Sequence, residues 1–179
     1  MSSKAVAALT MIVLAALLGS APSRAQQTPP PYPLDAVPDK IPFDVPYGAP
    51  ISLDRAEAAI AAAVAEAKKR DWKMNVAVVD SGGNLVAFQR MDGAQLASIQ
   101  ISEHKARAAA MFRRDTKAFE TGIQQSNLIY SLTLDGMIGS RAGIPLIEGG
   151  KLIGAIGCSG GTGSQDEVVC KAGAATINK

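Results

Sequence analysis

The sequence contains one histidine, His104, and the side chains around it define the chemistry open to the chain. An imidazole titrates near neutral pH and serves as an axial ligand to haem iron, so His104 is a candidate iron ligand or proton shuttle. The alternative is a histidine tucked into a helix–sheet interface and hydrogen-bonded there. Lys105 and Arg107 follow it and could pair with carboxylates such as haem propionates, or form a solvated helix edge. Upstream, the stretch RMDGAQLAS puts Met91, Asp92 and Ser98 at a strand-to-helix junction, a mix of residues that suits a ligand-lining loop. One histidine and two distant cysteines make a poor zinc set.

Two glycine-rich patterns invite other chemistry. Gly157-Cys158-Ser159-Gly160-Gly161 has the G-x-S-x-G spacing of hydrolase nucleophile elbows. An elbow needs a helix opening directly after its serine and a histidine later in the chain. Here Thr162-Gly163-Ser164 intervene and His104 comes earlier, so that reading is rejected. The same SGGTGSQDE stretch could cradle an anion on its backbone N–H groups. Asp166 and Glu167, however, occupy the positive end of the following helix and would repel a phosphate. A strand-to-helix turn with its own carboxylate cap is the favoured reading. Cys158 and Cys170 would meet an oxidising compartment if the chain is exported. They could form a disulfide worth roughly 2–3 kcal/mol in the loop-entropy picture, or remain two buried small residues that never meet.

The elements that must position these residues follow from periodicity. Ser52 is a good N-cap, and Ala56, Ile60, Ala63, Val64 and Ala67 recur at helical spacing, predicting a helix that ends near Arg70. MNVAVVD and LVAFQ flank the turn DSGGN and predict a β-hairpin. A second helix is expected over Ala97 to Phe112. Its apolar stripe would be Ala97, Ile101, Ala108, Met111 and Phe112, with His104 on the same face. A shorter helix begins at Asp115 or Thr116 and includes Phe119 and Ile123, whereas Asn127 to Met137 is ambiguous. IPLI and LIGAIGCS flank EGGK as a second hairpin, and Asp166 to about Ile177 closes the chain as a helix. Paired hairpins with helices between them predict an α+β fold with an antiparallel sheet and one core.

The N-terminus reads as an export signal. Lys4 precedes the apolar run Ala5 to Leu18, and Ser23-Arg24-Ala25 offers small residues for cleavage after Ala25. The run is shorter than the roughly 20 residues that span a bilayer, so no membrane insertion is expected after cleavage, and the protein would be periplasmic or secreted. Without Lys4 and Arg24 the 18 basic residues fall to 16, equal to the 16 acidic ones, and aromatics are 4%. That balance argues against a nucleic-acid partner. Eight of the ten prolines lie between Pro29 and Pro50, so residues 26–50 form an extended segment between the signal (1–25) and the domain (51–179).

Three stretches in order carry a family resemblance: VAVVDSGGNLVAFQRMDGA, LASIQISEHKARAAAMF and GIPLIEGGKLIGAIGCSGGTGSQDEVVCKAGAA. Together they resemble the GlcG/HbpS-like haem-binding family, also called haem-degrading or DUF336, which is related to the PduO C-terminal domain. The resemblance implies a profilin-like α/β/α fold with a five-stranded antiparallel sheet, homo-oligomers, and haem or a related tetrapyrrole as ligand in several members. The family's helix often reads K-A-x-T-A, with the threonine linked to haem in one branch; Ala108 stands at that position here. Members related to PduO use a histidine in the first helix, which this first helix lacks. The resemblance therefore shifts iron ligation to His104, with Lys105 or Arg107 meeting a propionate and Met91 to Ser98 lining the pocket. The expected role is an exported haem-binding protein in storage, sensing or delivery, more a binder than a catalyst. The alternatives are a small-molecule enzyme or accessory subunit in hydroxy-acid or alcohol catabolism, using Asp80, Asp92, His104 and Lys105, and a structural or assembly protein without ligand.

Overall fold

The computed structural model describes residues 37–41 and 43–178. The signal sequence and the first part of the proline-rich segment lie outside the described residues. The elements run α1 (Leu53–Lys69), β1 (Asn75–Asp80), β2 (Leu85–Arg90), α2 (Ala97–Met111), α3 (Lys117–Ser126), a 3-10 turn (Ile129–Thr133), β3 (Gly143–Glu148), β4 (Lys151–Ser159) and α4 (Gly163–Ala174). Among the described residues no helix is long and apolar enough to cross a membrane.

The four strands form one antiparallel sheet in the order β2-β1-β4-β3. The first hairpin closes through Asp80, whose Oδ1 accepts from the backbone N–H groups of Gly82 and Asn84 at 2.8 and 2.9 Å. The second closes through Gly149 and Gly150, both at positive φ, the conformation a two-residue type I′ turn requires.

Alternation along the strands divides the core. Val76, Val78, Ile156 and Cys158 face α1 and α4, whereas Ala77, Val79, Leu152 and Ala155 face α2. Period-two side chains on a sheet covered on both faces give this three-layer arrangement. The layering agrees with expectation, but the strand number is corrected from five to four. Among the described residues, the proline-rich segment meets β4 through a parallel bridge at Tyr47–Leu152. Gly48 and Ile51 donate to Leu152 and Ile153 at 2.7 and 2.8 Å, and Leu152 donates to the Pro46 carbonyl at 2.9 Å. Pro46 and Pro50 have no N–H to extend that ladder. The ambiguous stretch before β3 forms the 3-10 turn instead of a strand.

The face of α2 that meets the sheet differs from the expected one. Its buried residues are Ser98, Ser102, Lys105, Ala106, Ala108, Ala109 and Ala110, and Met111 is exposed. Gly143 and Gly157 lie directly beneath this face. A Cβ at Gly157 would run into the Ser102 carbonyl and the Ala106 backbone, and one at Gly143 into the Lys105 carbonyl. Gly157→Ala is therefore expected to lift α2 and cost about 1–3 kcal/mol as overpacking, measured as a lower urea midpoint with an unchanged m-value. An unchanged midpoint would contradict the close approach of helix and strand.

Cys158 in β4 and Cys170 in α4 form a disulfide with a Cα–Cα distance of 5.5 Å. It lies inside the core against α1, with both residues fully buried.

Candidate functional site

Helix α2 presents two faces of different chemistry. On the inner face, Lys105 is 1% exposed, and its Nζ donates to Asp166 Oδ2 at 2.8 Å and to the Cys158 carbonyl at 3.2 Å. The pair joins α2, on one face of the sheet, to the first turn of α4 on the other. Lys105 is therefore corrected from a surface cation to a buried structural one: its ammonium is spent and cannot reach a propionate. Ser98 is likewise enclosed, its Oγ receiving bonds from Ser159 Oγ at 3.0 Å and Gln95 Nε2 at 2.6 Å.

On the outer face, His104 and Arg107 are exposed, so His104 neither lies on the sheet-facing side nor is buried in an interface. His104 Nε2 lies 3.2 Å from the Gly136 carbonyl oxygen. A carbonyl only accepts, so Nε2 is the donor in this contact. Arg107, one turn along, donates through Nε to the Gly83 carbonyl at 3.2 Å, and among the described residues its terminal nitrogens have no partner. Ala108, at the family's threonine position, is buried.

Met91 and Asp92 lie elsewhere. They line a cleft of about 400 Å³ with Val64, Lys68, Lys73, Gln89 and Arg90, on the α1 side of the sheet. The expected single pocket therefore separates into three places: His104 and Arg107 outside α2, Ser98 and Lys105 beneath it, and Met91 and Asp92 beside α1. Residues adjacent in sequence are parted because the chain turns from an edge strand into a helix on the opposite face. The polar groups of the enzyme alternative do not converge either. Asp80 is occupied by its own turn: burial pushes its carboxyl up, but N–H donors on Asn84 and Gly82 outweigh this and hold it below its ordinary value.

The glycine-rich turn before α4 carries its own cap. Thr162 and Gln165 form a reciprocal capping box, and Asp166 Oδ1 accepts from the Gly161 N–H at 2.9 Å. The N–H groups of Gly161, Thr162 and Gln165 are thus engaged by side chains of the turn itself.

Two features escaped the sequence reading. Glu167, 7% exposed at its side chain, receives Lys171, Lys117 and Arg141 at 2.6, 3.1 and 3.3 Å. Burial raises its pKa, but hydrogen bonds from Lys171 and Lys117 outweigh that and keep it low. Glu120 is held low chiefly by the Arg141 guanidinium, whose Nε donates at 2.7 Å. The second feature is a cleft of about 310 Å³ lined by Phe43, Phe112, Arg114, Phe119, Leu128, Tyr130 and Leu134, among others. Its walls come from the proline-rich segment, the end of α2, α3 and the 3-10 turn. No local pattern announces such a meeting.

Comparison with known proteins adds to this geometry. The family model described as "Haem degrading protein HbpS-like" matches residues 51–175. Protein GlcG of Escherichia coli strain K12 is 40% identical over 109 residues, spanning 61% of this chain and 81% of GlcG. The crystal structure of Klebsiella pneumoniae protein ORFY aligns with a TM-score of 0.68 at 30% identity, covering 77% of this chain and 97% of that one. The crystal structure of a PduOC–haem complex aligns with a TM-score of 0.66 at 26% identity, covering 73% and 96%.

Proposed function

The chain belongs to the HbpS-like family, and from that premise we propose that it is an exported protein that binds haem non-covalently, for storage, sensing or delivery. One observation carries the reading. The sole imidazole is exposed on the outer face of α2, with Nε2 held by the Gly136 carbonyl. A single protein nitrogen suits an iron whose equatorial ligands come from a macrocycle. His104 would hold that iron and Arg107 a propionate, whose charge and geometry a guanidinium matches. Bound haem supplies a redox-active iron centre. The chain's own contribution is to orient the imidazole through Gly136 and to offer the cation one turn away.

Two further parts of the proposal rest on other features. Export rests on the sequence of Met1 to Ala25. Association of copies is supported by the large apolar side chains of Leu96, Met111, Ile129 and Leu132, which are 53–70% exposed in the single chain and would be covered in an assembly.

Haemin titration of the purified protein tests the reading. The expected result is a saturable Soret shift in the wild type and an affinity at least roughly tenfold weaker in His104→Ala, the scale of losing a ligand or its support. A shift that survives unchanged in His104→Ala removes that residue's role. No shift in the wild type removes haem.

A further inference from the structure

The cleft around Arg114 has a composition that the haem reading does not use. Its apolar wall contains Phe112 and Phe119, packed edge to face with centroids 5.1 Å apart, together with Leu128 and Leu134. Phe43 covers it from the proline-rich segment. That segment is held in place by Arg113 Nη1 on the Val45 carbonyl at 3.1 Å and by the Tyr47 hydroxyl on the Met111 carbonyl at 3.0 Å.

Within this wall sits a guanidinium. The Cζ of Arg114 stacks 3.1 Å from the Phe43 centroid and 4.9 Å from that of Phe119. Its Nε donates to the Phe112 carbonyl at 3.2 Å, but among the described residues no carboxylate forms an ion pair with it. Arg141, at similar depth, is matched by Glu120 and Glu167. A half-buried cation against aromatic faces gains from the rings, yet its two terminal nitrogens form a fork suited to a carboxylate.

We propose that this cleft binds a small monocarboxylate with a flat apolar body, its carboxylate on the Arg114 fork and its body against Phe112, Phe119 and Leu134. The volume of about 310 Å³ stands at the low end of the roughly 300–1,000 Å³ of small-molecule pockets. That selects a single ring or short chain and excludes a macrocycle. The site is thus separate from His104 and stands whether or not haem binds. Phe43 makes the proline-rich segment part of the pocket, a strap that shields the guanidinium from water.

Phenylacetate is the probe, with phenylacetamide as its uncharged match, titrated into the purified protein by calorimetry. Saturable binding of the acid, with the amide weaker by roughly 10- to 100-fold, is expected for loss of charge-assisted hydrogen bonds. Arg114→Gln is expected to weaken the acid by a similar factor and to leave the amide nearly unchanged, and Phe43→Ala to weaken both. Equal affinity for acid and amide, or an acid affinity unaffected by Arg114→Gln, overturns the proposal. Should the variants not fold, NMR of the wild type decides. Shifts on adding phenylacetate centred on Phe112, Phe119 and Tyr130 support the site, and their absence there overturns it.

Discussion

Lys105→Ala is expected to lower the unfolding free energy by about 3–5 kcal/mol, the scale of removing one partner from a buried ion pair. The side chains of Lys105 and Asp166 are 2% and 3% exposed, with Nζ and Oδ2 2.8 Å apart. Truncation leaves the Asp166 carboxylate buried without its cation, and the Cys158 carbonyl loses a donor as well. The pair's own net worth is smaller than this loss, because both ions were desolvated to form it. Lys105→Met combined with Asp166→Leu is therefore expected to recover most of the stability. Recovery stops short by about 1–3 kcal/mol, two hydrogen bonds, since Asp166 also receives the Gly161 N–H and the Cys158 carbonyl loses the Lys105 donor. Urea denaturation of the three proteins checks both statements. A loss below about 1 kcal/mol in Lys105→Ala would match an exposed pair and contradict the burial described.

Opening the disulfide is the second large effect. With a sequence separation of 12 between the cysteines, the loop-entropy relation gives about 3 kcal/mol, or a change of more than about a hundredfold in the folding equilibrium. Replacing both cysteines with alanine is expected to reproduce this loss. In the wild type, a mild reductant is expected to leave the bridge closed until the protein is unfolded, since both residues are fully buried. This effect is not independent of the first, because the Cys158 carbonyl is one of the two acceptors of Lys105. Groups that share a partner do not add. A double-mutant cycle between Lys105→Ala and the alanine pair is expected to show coupling of at least about 0.5 kcal/mol. Strict additivity would mean that the disulfide and the ion pair do not share the end of β4.

The strands, turns and first helix were legible because their signals are local. The alternation of β1, the Asp80 turn and the Gly149–Gly150 hairpin each state a conformation within a few residues, and the helical spacing of Ala56 to Ala67 states a buried face. Helix α2 was misread for a physical reason. Its large apolar residues, Ile101, Met111 and Phe112, mark a stripe by bulk, but the helix meets the sheet with Ser98, Ser102, Ala106 and Ala109. Small residues win there because Gly143 and Gly157 bring strand backbone so near that bulk cannot fit. That rotation of the helix buries Lys105 and turns His104 to solvent. The identity of a strand glycine's helical neighbour is not written in the helix.

By itself, then, the sequence determined the order of elements, the antiparallel hairpins, the family and the presence of a single imidazole. These depend on contacts between near neighbours, or on residue types alone. The tertiary structure alone decided which face of α2 is buried, which cations are spent, and that Phe43, Arg114 and Phe119 share a cleft. Each of these depends on how closely distant segments approach, and that distance is set by packing of the whole core.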